Sequence, residues 1–382
     1  MDKPVLFITH DLARAGAQMF LMHLMRWVRE RGLFDFELLV SGPSDGPAAA
    51  PAYAMRAEAE ALCKLHWLDG QGLPTNIAAV RSGAYSLLYA NTVTHGPLLA
   101  RMQPFETPVL CHVHELRYYV LAELGKAQFD AMRPLVRHWV ACADVVRQML
   151  VGFGVPAEQI DVVHECIPVA QITAAAATMS RAEARGKLGV SDNTFLVMLC
   201  GTLDWRKGYG KLVPLIQALR RARPELDFCV VWLGVNPNSR EYPQIMYEIV
   251  QAEVARYVKF IPSLPQPAPW LAAGDVFVLL SREDPFPLVM LEAAACGLPV
   301  VGFARSGGVT EFVTDEMGFT VPFDDLGAMA DGLAALAAEP ERRERLASQA
   351  RQRAAQFDVE HLLPRFAKSI EFVLSRPPCH HG

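Results

Sequence analysis

Short apolar runs alternate with longer segments in which apolar residues return every three to four positions. Val5–Thr9 reads as a strand, and 17–31 follows as a helix with Phe20, Leu21, Leu24, Met25 and Val28 on one face. Phe34–Val40, Leu87–Ala90, Val109–Val113 and His138–Cys142 are further strand-like runs between helical stretches. The pattern breaks near Val162–Thr178, where Ile167-Pro168-Val169-Ala170 is followed by an Ala-rich stretch leading to a helix over Arg181–Leu188. It then restarts: strand Phe195–Cys200, helix Tyr209–Arg221, strand Phe228–Leu233, helix Tyr242–Val254, strand Val258–Pro262, strands near Val276 and Val300, and mostly helix over 326–376. Fully apolar strands spaced by helices predict parallel sheets with right-handed crossovers. The fold class expected is α/β, with two doubly wound Rossmann-like domains facing a cleft. The boundaries expected are 1–172, 173–358, and a C-terminal helix and tail over 359–382 that packs back toward the first domain. Ligands then belong at the C-terminal ends of the strands.

Composition narrows the classes. The chain has 382 residues, 52% hydrophobic and 20% charged, enough for more than one folded domain. Lys and Arg number 14 against 17 Asp and Glu in residues 1–175, and 22 against 24 in the remainder. Neither half is basic, which argues against nucleic acid as a partner. Eight cysteines are scattered without a C-x-x-C pair, as expected for free thiols in a reducing compartment. The first apolar run is too short for a secretory signal, and no apolar stretch reaches spanning length. The expected location is cytoplasmic, with peripheral contact at the inner face of a membrane left open.

Two segments carry chemistry. In Ser281-Arg-Glu-Asp-Pro-Phe-Pro-Leu-Val-Met-Leu-Glu-Ala-Ala-Ala-Cys-Gly-Leu-Pro-Val300, a buried strand ends at an acidic turn and a helix begins. Asp284 lies at the mouth of that turn and Glu292 eight residues on, a spacing that can aim two carboxylates at two ends of one ligand. In Gly201-Thr-Leu-Asp-Trp-Arg-Lys-Gly-Tyr-Gly210, Arg206 and Lys207 stand in a glycine-rich turn between a strand and a helix. Glycines permit close backbone approach, and cations at a helix start neutralise a diphosphate. Lys211 is a weaker candidate.

The two motifs together resemble the donor-binding half of the retaining GT-B glycosyltransferases, specifically glycosyltransferase family 4 (glycosyl transferases group 1), with its K-G turn and its E-x7-E element. Ser306-Gly-Gly-Val-Thr-Glu311 is similar to the G-G-x-x-E loop of that family. The resemblance implies that Glu292 accepts hydrogen bonds from ribose hydroxyls and that Asp284, in place of the first Glu, serves the donor sugar. It implies further that the backbone N–H groups of Phe286 and Leu288 serve sugar and phosphates, and that Lys207 binds the diphosphate. The segment departs from the family where Asp284 is one methylene shorter, where Pro285 and Pro287 replace glycines, and where Thr202 replaces an arginine whose charge Arg206 is expected to supply.

The N-terminal half adds two features. Asp11-Leu-Ala-Arg-Ala-Gly-Ala17 occupies the place of the family G-G turn, with Gly16 matching and Ala17 departing. Cys111-His-Val-His-Glu-Leu116 ends a strand, and His114-Glu115 is similar to an H-D or H-E pair. His114 is expected to hydrogen-bond the donor sugar near the reacting carbon. His112 and His114 are read as facing opposite sides of the strand. Zinc is set aside because no third ligand is evident nearby. His380 and His381 are expected in a frayed tail. With no D-x-D tripeptide, no metal is expected to be obligatory.

The function implied is metal-independent retaining transfer of a hexosyl group from a UDP- or GDP-linked sugar, with no cofactor, to a hydroxyl of a saccharide or lipid-linked saccharide, in cell-surface polysaccharide or glycolipid synthesis. A catalytically inactive nucleotide-sugar-binding partner and a GT-B nucleotide-sugar epimerase are the alternatives.

Overall fold

The computed structural model describes residues 3–42, 51–68 and 72–375. The expectations for Cys379, His380 and His381 fall outside them. The chain divides into two compact units, 1–166 with 359–382, and 167–358.

The first unit is built on a seven-stranded sheet, β1 (Val5–Thr9), β2 (Phe36–Val40), β3 (Lys64–Trp67), β4 (Leu87–Ala90), β5 (Val109–Val113), β6 (His138–Ala141) and β7 (Ile160–Val162), in the order β3-β2-β1-β4-β5-β6-β7. All its pairs are parallel. Every residue of β1, β4, β5 and β6 is buried, because helices cover both faces of a parallel sheet. Helix Gly16–Arg31 lays Phe20, Leu21, Leu24, Met25 and Val28 in the core and ends on Gly32 at φ 59°, a left-handed cap that glycine adopts without strain. The last helix, Val359–Ser375, belongs to this unit. Its Phe366 packs on Phe20, Tyr89 and His112 at ring distances of 5.4, 5.8 and 4.8 Å.

The second unit carries a six-stranded parallel sheet of β8 (Phe195–Cys200), β9 (Phe228–Leu233), β10 (Val258–Ile261), β11 (Val276–Val278), β12 (Val300–Phe303) and β13 (Gly318–Val321), in the order β10-β9-β8-β11-β12-β13. Its core is Val197, Leu199, Val230, Trp232 and Val278 from the strands, with Leu212, Leu215, Ile216 and Leu219 from helix Leu212–Ala222. The Ala-rich stretch expected to be a break contains a helix, Val169–Ala176, in keeping with the helix propensity of alanine. Helix 209–221 starts instead as a 3-10 turn over Tyr209–Lys211. Among the described residues no helix is long and apolar enough to cross a membrane.

In each sheet the strand order reverses once, between β1 and β4 and between β8 and β11. Loops leaving the two central strands there diverge to opposite faces and leave a crevice, where open α/β sheets take ligands.

Candidate active site

At the reversal in the second unit, three loops meet. Gly201–Gly210 follows β8, Ser281–Pro287 follows β11, and Ala304–Gly308 follows β12. The Arg206 carbonyl accepts from the Arg282 N–H at 2.6 Å, joining the first loop to the second. The Asp284 N–H donates to the Ser306 carbonyl at 2.7 Å, and the Gly308 N–H donates to the Pro285 carbonyl at 2.8 Å, joining the second to the third. Glycine is required at both joints. Gly208 has φ 76°, and a Cβ there would lie 2.0 Å from the Leu280 carbonyl oxygen. Gly307 has φ 140°, and its Cβ would lie 1.7 Å from the Asp284 carbonyl oxygen.

This framework brings Lys207 and Asp284 together. The Lys207 ammonium donates to Asp284 Oδ2 at 2.7 Å, and the Ser281 hydroxyl donates to the same oxygen at 3.1 Å. The Lys207 backbone N–H is held by Asp204 Oδ1 at 3.0 Å, which fixes the turn that presents the side chain. Arg206 lies on the same turn, its guanidinium 3.7 Å from Asp204 Oδ2. Lys211 does not join them. It is 3% exposed, bonded to Asp324, and sits over the rings of Phe303 and Phe323. That cation is committed to packing the edge of the core, which corrects its candidacy as a phosphate ligand.

Helix Leu288–Ala295 starts directly after this acidic turn, with Pro287 extended at its N-cap. Phe286 turns its ring inward, stacked on Phe357 at 5.6 Å and edge-on to Phe312, so it anchors the turn and offers only backbone. Leu288 is likewise buried. Glu292 lies on the first turns of the helix near the thiols of Cys200 and Cys296. Burial pushes its carboxyl up to about 7. No side chain among the described residues hydrogen-bonds that carboxyl, so it is available to hydroxyl donors.

At the reversal in the first unit, helix Gly16–Arg31 begins at Gly16, where a Cβ would meet nothing within 4 Å. Asn91 stands at the end of β4 and donates from Nδ2 to the Ala17 carbonyl at 3.0 Å. Its Oδ1 lies 3.2 Å from His114 Nε2, and His114 Nδ1 lies 2.5 Å from Glu165 Oε1. The side chains of His114 and Glu165 are only 7% and 4% exposed. Glu115 turns inward, accepting from the Thr92 hydroxyl and, at 3.0 Å, from the His114 N–H. Burial raises its carboxyl above the usual range. It holds the strand end and offers nothing to a ligand.

The opposite-face reading of His112 and His114 is corrected. Their rings lie 3.9 Å apart, because residues two apart on a strand share a face. Burial and the neighbouring His114 keep the His112 ring far below its ordinary basicity. The absence of a third ligand-capable group nearby is corrected as well. Glu165 places an oxygen within 4.8 Å of both rings. The 2.5 Å separation of His114 Nδ1 and Glu165 Oε1 is that of a hydrogen bond, and we assign the group as hydrogen-bonded. Sequence reasoning missed Asn91 and Glu165, which stand in no recognisable spacing, and passed over Asp204 and Ser281 inside the two motifs. Glu165 alone left a trace, as an acid between a strand end and Cys166.

Comparison with known proteins agrees with this architecture. The family described as glycosyl transferases group 1 matches residues 180–353. A D-inositol 3-phosphate glycosyltransferase of Saccharomonospora viridis is 31% identical over 322 residues, 76% of this chain and 73% of the relative. That of Kribbella flavida is 35% identical over 188 residues, 47% of this chain and 44% of the relative. For three such relatives the chain spans about half of their length, 44%, 46% and 49%. Among solved structures, Anabaena HepE in complex with UDP and glucose superimposes with a TM-score of 0.81 at 21% identity, covering 97% of this chain and 100% of that one. That likeness is one of fold. Two doubly wound sheets, the glycine-rich cationic turn and the acidic turn at one strand reversal, and this relationship over most of the chain identify it as a GT-B member of the glycosyl transferases group 1 family, glycosyltransferase family 4.

Proposed function

We propose that the chain transfers a hexosyl group, with retention, from a nucleotide-diphosphate sugar to a hydroxyl acceptor. The observation that carries this reading is the Lys207–Asp284 pair at the β8/β11 reversal, with the unbonded Glu292 beside it. Glu292 would accept from ribose hydroxyls. Its ionised form is the better acceptor, so binding of a nucleotide favours loss of its proton. Lys207 and Arg206, with the Phe286 and Leu288 N–H groups, would hold the diphosphate, and the Lys207 ammonium would stabilise the charge that grows there as the glycosidic bond breaks. Asp284 would accept from sugar hydroxyls. From the first unit, Gly16 leaves open space for close approach, and we assign His114 to the donor sugar. No side chain of this set is placed as a covalent nucleophile. The cations assume the role a metal plays elsewhere, so transfer is proposed to be metal-independent.

The Anabaena structure is a complex with UDP and glucose, which supports a UDP-linked donor over a GDP-linked one. A saccharide or lipid-linked saccharide is the proposed acceptor, at the cytoplasmic face of a membrane where cell-surface polysaccharide or glycolipid is made. The test is a thermal-shift screen against UDP-, GDP-, ADP- and TDP-sugars in EDTA, followed by product analysis. A ligand of the folded state raises the melting temperature by mass action. A shift with one nucleotide class, then release of that nucleotide with the sugar anomer kept, is the expected result. No shift with any donor, with or without magnesium, would overturn it.

A further inference from the structure

We propose that Asn91 and Glu165 are positioning residues that keep a hydrogen on both ring nitrogens of His114, making that side chain a fixed cationic N–H donor and never a base. The Asn91 amide is held from two sides. Its Nδ2 lies 3.0 Å from the Ala17 carbonyl oxygen, and the flipped amide would set two acceptors against each other. The orientation is therefore determined, and Oδ1 faces His114 Nε2 at 3.2 Å. An amide oxygen brings no hydrogen, so Nε2 must carry one. At the other side of the ring, Nδ1 meets Glu165 Oε1 at 2.5 Å, and one hydrogen lies between them. We place that hydrogen on nitrogen, with the Glu165 carboxylate accepting it. The result is an imidazolium–carboxylate pair joined by a charge-assisted bond.

The surroundings agree. The groups facing the ring are Phe20 from helix Gly16–Arg31, His112 from β5, Asn91 after β4 and Glu165 after β7. Glu115 follows His114 in the chain and accepts its backbone N–H. Tyr89 bonds His112 Nδ1 at 2.8 Å and Asn91 Oδ1 at 3.4 Å, so its one hydrogen also serves this network. His112 is held neutral, and the nearest group able to balance a cationic ring is Glu165. The chain Ala17–Asn91–His114–Glu165 thereby ties the loop of Gly16 to the end of β5.

The chemical consequence rests on the glycosyl-transfer reading. A ring with hydrogen on both nitrogens cannot take the acceptor's proton, and a sugar oxygen can reach Nε2–H only by sharing it with Asn91 Oδ1, the longer of the two bonds at 3.2 Å. The first experiment needs no substrate. Nitrogen-15 histidine spectra of the whole protein at neutral pH, with His114 assigned from the His114→Asn variant, should show a hydrogen on both Nδ1 and Nε2. A bare nitrogen at either position overturns the proposal, whether or not the protein transfers sugar. In Glu165→Gln, Nδ1 should lose its hydrogen, and kcat should fall about tenfold or more while the KM for donor stays within about twofold, as for a donor used mainly in the transition state. A proportional rise in KM with kcat unchanged would show a structural role only and also overturn it. Both nitrogens protonated, with no transfer by the wild type under any donor, would instead remove the glycosyl-transfer reading and leave the ring assignment standing.

Discussion

The two strand reversals are topologically alike and chemically opposite. In the second unit, Lys207 and Asp284 form an ion pair at the meeting of three loops, and the Lys207 side chain is 24% exposed. In the first unit, the polar groups of Asn91, His114 and Glu165 are enclosed with Tyr89, Phe20, His112 and Phe366. A partly exposed pair can exchange partners with an incoming anion at modest cost. A buried one is costly to open, because the group left behind loses both partner and water. The same scaffold position thus holds an adaptable charge pair in one unit and an enclosed hydrogen-bond network in the other.

The sharpest way to break this contrast is Lys207→Ala. It should lower kcat/KM for donor by about a hundredfold or more, as loss of a charge-stabilising donor does, while circular dichroism stays unchanged. Activity within about threefold of wild type would remove the contrast. Next in size is Gly307→Ala. Its Cβ would collide with the Asp284 carbonyl at a φ of 140°, so a loss of about 3 kcal/mol in denaturant unfolding is expected.

Glu292→Gln tests the remaining acid with a defined sign. Unfolded, Glu292 titrates near 4.5, and folded near 7. Between these values the native state holds a proton the unfolded chain lacks, so the native state loses stability as pH rises through that window. Above pH 7 the penalty is at most about 3 kcal/mol. The variant should therefore gain stability over wild type between about pH 5 and 8, and bind nucleotide about tenfold more weakly at pH 8. Equal pH profiles in thermal melts would refute the burial argument. The smallest structural effect belongs to Gly16→Ala. No protein atom lies within 4 Å of the added carbon, so stability should hold within about 0.5 kcal/mol. Any loss must then appear as a raised donor KM.

Much of the fold was legible because a parallel sheet buries its strands on both faces. Val5–Thr9, Leu87–Ala90, Val109–Val113, Phe195–Cys200 and Phe228–Leu233 have the ends their apolar runs give. Two edge strands were not legible: Lys64–Trp67 alternates polar and apolar over only four residues, and Gly318–Val321 opens on a glycine that only its neighbour Val300 explains. Short helices such as Arg56–Leu62 and Gly96–Met102 have too few turns to show a period. The acidic and glycine-rich motifs were visible because each is local in sequence. The Ala17–Asn91–His114–Glu165 chain was not, since its members lie 23 to 74 residues apart from those they bond. The shared face of His112 and His114 follows from the period of two along a strand.

The first unit closes only with the last helix of the chain. Phe366 covers Phe20, Tyr89 and His112, and the Ser369 hydroxyl reaches Asp161 at 2.6 Å. During synthesis, residues 1–166 therefore leave the ribosome lacking part of their own cover, and 192 residues of another unit follow before that cover arrives. At about 5–20 residues per second, this is an interval of about ten to forty seconds. Through that interval an apolar surface beside His112 lies bare, which makes the nascent first half a natural client for a chaperone and gives the second half time to fold first.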